Sequence, residues 1–391
     1  MTPFRSTRRQ ALAGMAALGA SACTTGPESA AIGRPSSTVT PASGLNGLAV
    51  RSERRFGSAI AWNANNASSG SIHNPDYTAI VKAECGVVVP ENELKWQAVR
   101  PSASTYDFTR MDDIVRWAQA NGKDVRGHTL LWHRPRWFPR WLNDYDFGAN
   151  PVREAERLLV EHIRTVTDRY RGVITSYDVV NEAIDHDTNR AIETSLSRAM
   201  GSPEAVLDLA FHTAREQLPG GQLVYNDYMS WEPDHRAHCA DVLRLLEGFR
   251  KRNVPVDALG IQSHIEMYSL DPASGVGPYD EAGWRRFLDE VVAMGYKLLI
   301  TEFDVKDKAL PGDIGTRDAR VADFARRYFD LMLEYGELGD ILAWGMVDRF
   351  SWLQGFAPRE DELEVRSCPY DSSYRPKPLR EALAEAFNAA G

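Results

Sequence analysis

Short runs of bulky apolar residues recur along this chain, and each gives way to a longer stretch whose apolar positions share the spacing of one helix face. In "VVVPEN", "SYDVVNE" and "KLLITEFDV" the apolar residues are nearly continuous rather than alternating. Such strands are buried on both faces, which happens when they pair in parallel and helices cover the sheet. The remaining strand-like runs are "FGSAIAW", "DVRGHTLLWH", "LVYNDY", "ALGIQSHIEM" and "ILAWGMVD". Between them lie helical stretches with readable ends. Asn74 caps "HNPDYTAIVKAE" with Pro75 in its first turn, and the Ser-Pro of "SPEAVLDLAFHTAREQLPG" repeats that signature. "MDDIVRWAQANG" stops at Asn-Gly, and "RPKPLREALAEAFNAA" closes the chain. Eight strand–helix units, with no Gly-rich phosphate turn after the first strand, predict an α/β fold of the (β/α)8 TIM-barrel type. A doubly wound open sheet is the alternative.

The 391 residues could hold two or three domains. The texture is nevertheless uniform from residue 51 to 391, so one domain is expected there. Residues 24–50 are rich in Ser, Thr, Pro, Gly and Ala and read as a disordered linker. Before it, Arg8-Arg9 precedes an apolar run from Ala11 to Ala22, the layout of a twin-arginine export signal over residues 1–23. That run, at roughly 12 residues, is too short to span a bilayer. It ends at Cys23, which resembles a lipoprotein processing site except that Ala20 stands where Leu is usual. A lipid anchor at Cys23 and an ordinary cleaved signal are both open. Either places the protein outside the cytoplasm of a bacterium: periplasmic, tethered to the outer membrane, or extracellular. Cys85, Cys239 and Cys368 form no even framework without Cys23 and are expected to be buried thiols. A net charge of −9 argues against a nucleic-acid partner.

In a barrel of this kind the chemistry sits at the C-terminal ends of the strands. Those ends carry Glu91 and Asn92 with Lys95 just beyond, His128 and Trp132, Asn181 and Glu182, Tyr228, Gln262 and His264, Glu302 and Asp304, and Trp344. One polar residue at a strand end meets water; a full ring of them marks a site. Glu182 and Glu302 lie three strands apart and face each other across the mouth. Two carboxyl groups about 5–5.5 Å apart suit retaining glycoside hydrolysis, one as nucleophile and the other as acid and then base. Asp304 shares a strand face with Glu302, and His264 on the adjacent strand can bridge them, holding Glu302 by a hydrogen bond. Asn181 can bond a sugar 2-hydroxyl, a contact that strengthens in the transition state. Metal-assisted hydrolysis is the rival, but His128 and His133 sit five apart on an extended segment that points them to opposite faces. No metal and no cofactor is implied.

Taken in order, "VVVPENELKW", "RGHTLLWH", "YDVVNE", "YNDY", "GIQSHI", "TEFDV", "WGMVDRFSW" and "YDSSYRPKP" resemble glycoside hydrolase family 10, the endo-β-1,4-xylanases, from about Phe56 to Pro378. The resemblance implies Glu182 as acid/base, Glu302 as nucleophile, Asn181 as the 2-hydroxyl contact, and His264 with Asp304 as support of the nucleophile. It also implies that Glu91, Asn92, Lys95 and His128 bind sugar hydroxyls on the non-reducing side of the cut. Trp132, Trp344 and Trp352 would wall that region, with Gln262 and Tyr228 also touching substrate. The expected partner is a polysaccharide or oligosaccharide, and the expected state a monomer.

One departure stands out. The family reads Trp-His-Ser-Gln after the third strand, where this chain has "WHRPRWFPRW", with Arg134 for the small residue and Pro135 for the Gln. Proline offers no side-chain hydrogen bond, so sugar preference is open. Arg134 either reaches a hydroxyl or a uronic acid branch, or belongs to a loop variation outside the cleft. Xylan is the expected polymer; another β-glycan, a glycosylated small molecule, or a catalytically silent carbohydrate-binding barrel are the alternatives.

Overall fold

The computed structural model describes residues 44–64, 69–270 and 278–391. The export signal, Cys23 and the linker up to residue 43 lie outside the described residues. Eight parallel strands close into a barrel: β1 (Phe56–Ile60), β2 (Val87–Pro90), β3 (Asp124–Trp132), β4 (Ile174–Asn181), β5 (Gln222–Asp227), β6 (Ala258–Ile261), β7 (Lys297–Lys306) and β8 (Leu338–Ala343). Closure is seen at β1, which pairs with β2 through Gly57–Val87 and with β8 through Phe56–Ile341. The barrel expected from the sequence is therefore borne out, and the open sheet is not.

Around it run α1 (Pro75–Glu84), α2 (Thr109–Ala120), α3 (Pro151–Arg169), α4 (Pro203–Gln217), α5 (Arg236–Lys251), α6 (Glu281–Ala293), α7 (Ile314–Met332) and α8 (Pro378–Ala390). Their ends form where the sequence places them. The Asn74 side chain accepts from the amides of Asp76 and Tyr77, and Ser202 accepts from Ala205, each relieving an amide that has no helical partner. Each helix buries one stripe against the barrel; Leu158, Ile163 and Val166 of α3 have no exposed surface. Cys85, Cys239 and Cys368 are buried and unpaired, and burial pushes all three thiols up.

Three boundaries differ from the sequence reading. Leu45–Ala49, assigned to the linker, is a helix with Leu45 fully buried. The Leu45 amide donates to Glu84 at 2.7 Å, and the Asn46 side chain accepts from the Phe56 amide at 2.9 Å. Those contacts tie it to α1 and β1, which composition cannot reveal. Second, "ALGIQSHIEM" is not one strand. β6 ends at Ile261, Ser263 takes a left-handed φ of 60°, and the chain resumes as a short strand, His264–Glu266, beside β7. Third, the connection after β4 carries an antiparallel ribbon, Ile184–Asp185 with Arg190–Ala191, ahead of a helix at Ser195–Met200.

Candidate active site

The C-terminal ends of the strands surround a cleft of about 650 Å3. Its walls include Glu91, Asn92, Lys95, His128, Trp132, Asn181, Glu182, Tyr228, Gln262, His264, Glu302, Trp344 and Trp352, and Asp304 lies just behind. The structure thus brings the sequence-derived candidates to one place. Trp96, adjacent to Lys95, turns away and stacks on His162 in the core, ring centroids 3.9 Å apart.

Glu302 sits inside β7, and its environment favours the ionised form. His264 Nε2 donates to Glu302 Oε2 at 3.3 Å, while His264 Nδ1 lies 3.0 Å from Asp304 Oδ1. The Trp352 indole donates to the other Asp304 oxygen at 2.7 Å. Asn226 at the end of β5 donates to Glu302 Oε1 at 2.8 Å. Burial alone would raise the Glu302 carboxyl, but the hydrogen bond and charge of His264 hold it below the ordinary carboxylate range. Burial likewise opposes charge on His264, yet Asp304 and Glu302 outweigh it and raise the imidazole to about 9.

Glu182 follows β4 in a left-handed conformation, φ 50°, which a β-carbon disfavours. Its amide donates to Asn226 O at 2.9 Å, fixing the turn that aims the carboxyl into the cleft. Gln262 Nε2 donates to Glu182 Oε1 at 3.0 Å. Burial is the largest influence and raises the Glu182 carboxyl, with Asp227 and Glu302 adding to it. The two glutamates are thus pushed in opposite directions within one cleft.

The remaining polar residues form supported pairs. Lys95 Nζ donates to Asn92 Oδ1 at 2.9 Å and lies 4.8 Å above the Trp132 ring. His128 Nδ1 is 2.9 Å from Asp178 Oδ2, leaving the other ring nitrogen for the cleft. Asp178 in turn pairs with Arg126 inside the barrel. His133 points elsewhere, Nε2 meeting Ile192 O at 3.0 Å. Among the described residues, no group of three or more His, Cys, Asp or Glu is placed to hold a metal ion. Trp344 meets His128 edge-on at 5.3 Å, and Trp352 packs beside His264 at 4.9 Å.

Several cleft residues had no role in the sequence reading. Asn226, buried behind the cleft wall, stands among the polar strand ends of the sequence but without an assigned role. Trp137 stacks on Trp132 at 4.5 Å and Phe356 packs beside Trp352 at 4.5 Å, both from loops whose path the sequence pattern does not fix. Of the two places the sequence left open for Arg134, the structure shows the one in the cleft. The Arg134 Nε lies 3.0 Å from Glu182 Oε2.

A family model, Glycosyl hydrolase family 10, matches residues 44–386. Endo-1,4-beta-xylanase B of Thermotoga neapolitana is 29% identical over 309 residues, covering 79% of this chain and 82% of the relative. Endo-1,4-beta-xylanase 3 of Hypocrea jecorina is 31% identical over 318 residues, covering 80% and 79%. Xylanase 10B of Thermotoga petrophila, solved in complex with xylobiose, superimposes with a TM-score of 0.75 at 28% identity, covering 88% of this chain and 97% of that one. The match begins at residue 44, where the buried N-terminal helix begins, and runs through all eight strands to α8. A barrel whose strand ends converge on two oppositely tuned glutamates, matched over that whole length, places the chain in glycosyl hydrolase family 10.

Proposed function

We propose that this enzyme is an endo-β-1,4-xylanase that cleaves the xylan backbone by double displacement with retention of configuration. The observation that carries the reading is the opposite tuning of Glu182 and Glu302 in one cleft. Glu302, ionised and held by His264 and Asn226, attacks the anomeric carbon. Glu182, raised by burial, gives its proton to the departing oxygen as the glycosidic bond breaks. The second half then reverses these roles: Glu182 takes a proton from water, which displaces Glu302 from the sugar. Asn181 beside Glu182 is the contact to the 2-hydroxyl. Glu91, Asn92, Lys95 and His128 bind hydroxyls on the non-reducing side, where Trp132, Trp344 and Trp352 form the walls. The xylanase names of the relatives and the xylobiose bound to the Thermotoga petrophila enzyme support xylan as the polymer. NMR of the first-formed product should show the β-anomer before mutarotation; an initial α-product would sink the mechanism.

Pro135 favours a second reading, in which the same mechanism serves another β-glycan or a glycosylated small molecule. It lines the cleft without a polar side chain, so one means of selecting xylose is missing. Product profiles on a panel of purified polysaccharides separate the two readings.

The Arg8-Arg9 motif and the apolar run after it support export, with Cys23 available for lipid attachment. The intact mass of the mature protein from its host decides whether Cys23 carries a diacylglycerol.

A further inference from the structure

Arg134 enters the cleft from the loop after β3 and reaches Glu182, which follows β4. Its Nη2 donates to Ile184 O at 3.1 Å and to the Tyr228 hydroxyl at 3.1 Å, and its guanidinium lies 5.4 Å from the Tyr228 ring centroid. Those contacts fix the guanidinium from a loop and a ring outside its own segment. Its Nε lies 3.0 Å from Glu182 Oε2 without the alignment of a directed hydrogen bond, so the contact acts through charge. Both side chains are largely shielded, 23% and 14% exposed, which limits screening by solvent. The other Glu182 oxygen accepts from Gln262. Both oxygens therefore face groups that favour the carboxylate.

We propose that Arg134 is a positioning residue that fixes the ionisation of Glu182 and so sets the alkaline limit of this enzyme's acid catalysis. The inference rests on Glu182 being the acid/base. Its chemistry is two-sided. In the first step Glu182 must carry the proton that passes to the departing oxygen, and a guanidinium in contact favours losing it early. In the second step Glu182 must be ionised to take a proton from water, and the same guanidinium assists. Arg134 therefore trades alkaline range in the first step for a Glu182 that is ionised down to lower pH in the second.

The other charges around Glu182 do not duplicate this. Asp227 at the end of β5 and Glu302 on β7 disfavour its ionisation, as does burial, and Tyr228 is a neutral phenol pushed up by burial. Lys95, beyond β2, is influenced by Glu182 but more strongly by Glu302 and Glu91. His264 is engaged by Glu302 and Asp304, and Asp185 faces Arg134 rather than Glu182. His235 and Lys306 also line the cleft, and Lys306 pairs with Glu266. The cation in contact with Glu182 is Arg134.

The test is the pH dependence of kcat/KM for wild type, Arg134→Met and Arg134→Lys on phenyl and 2,4-dinitrophenyl β-xylobiosides. Phenol needs protonation to leave and dinitrophenol does not. With the phenyl substrate, Arg134→Met should move the basic limb up by about one pH unit, and Arg134→Lys should restore part of the shift. An unmoved limb in Arg134→Met overturns the inference. If the same basic limb appears on both substrates in wild type, Glu182 is not the acid and the proposed function fails instead. Thermal unfolding checks that Arg134→Met folds; should it not, Arg134→Gln, which keeps an amide donor and removes the charge, must show the same upward shift or the inference falls.

Discussion

Asn226 donates from its side-chain amide to Glu302 Oε1 and to Asn181 Oδ1, each at 2.8 Å. One neutral side chain thus links the proposed nucleophile to the residue beside the proposed acid. The Asn226 side-chain oxygen accepts from Thr301 Oγ1 at 2.6 Å, and because an ionised carboxylate only accepts, the amide nitrogen is the end that faces Glu302. Room for this comes from Gly260 on β6, where a β-carbon would lie 2.4 Å from Asn226 Oδ1. The amide oxygen occupies the space that a side chain at residue 260 would fill.

Asn226→Asp is therefore expected to impair the nucleophile while conserving shape. A carboxylate in place of the amide sets like charges a hydrogen bond apart, and the pair must share a proton. The acidic limb of kcat/KM should rise by about one pH unit or more, with kcat falling at every pH below it. An unchanged acidic limb would show that Asn226 does not act on Glu302.

The two glutamates should fail in different ways. Glu302→Ala removes the nucleophile and should abolish turnover on every substrate. Glu182→Ala removes proton transfer, a contribution of roughly 10²–10⁴-fold for substrates with poor leaving groups. Activated aryl glycosides should still glycosylate this variant, and azide should capture the intermediate as a β-glycosyl azide. A β-azide product from Glu302→Ala instead would reverse the assignment.

His264 predicts a pH dependence of stability. Its folded pKa of about 9 lies above the ordinary 6.5, so the native state holds the proton more tightly than the unfolded chain. That stabilisation is complete below pH 6.5 and is lost as pH rises through 9. The slope for one proton is at most about 1.4 kcal/mol per pH unit. The stability difference between wild type and His264→Gln in urea should shrink by about 2–3 kcal/mol between pH 6 and 9.5. A constant difference would mean that His264 does not gain its charge on folding.

How much of this the sequence disclosed depends on the range of the interactions. The barrel was legible because each strand and helix announces itself locally, by continuous apolar runs and by caps such as Asn74 and Ser202. Glu182 and Glu302 were legible as candidates because they terminate such runs, and His264 with Asp304 because neighbouring strands share register. Asn226 was legible as a strand-end residue but its role was not, since that depends on Gly260 across the β5–β6 boundary. Arg134 was visible as a departure, but its destination follows from the fold of a loop that begins with the three-residue turn Pro135–Trp137. The break at Ser263, which carries no glycine or proline signal, left no trace in the pattern.

Pro135 supplies the prediction on sugar preference. It opens that turn and lines the cleft, and its carbonyl accepts from the Asn143 side chain at 2.7 Å. Because proline has no polar side chain, the wall there neither binds a sugar hydroxyl nor penalises a ligand that lacks one. A wall built to hydrogen-bond a hydroxyl does both, since its own polar group would otherwise stay unpaired. Pro135→Gln restores such a group beside Trp132 and leaves the Pro135 carbonyl contact available to the new residue. One neutral hydrogen bond is worth roughly 0.5–1.5 kcal/mol, or up to about tenfold in kcat/KM. That is enough to shift preference and too little to create or erase activity. The ratio of kcat/KM for aryl xylobioside over aryl cellobioside should therefore rise by a few-fold, carried by KM if the contact forms equally in the ground and transition states. Trp137, stacked on Trp132 from the same turn, keeps the wall in place while the side chain changes. If the ratio stays where it is in wild type, this turn does not set the sugar preference, and selection rests on Trp344 and Trp352 across the cleft.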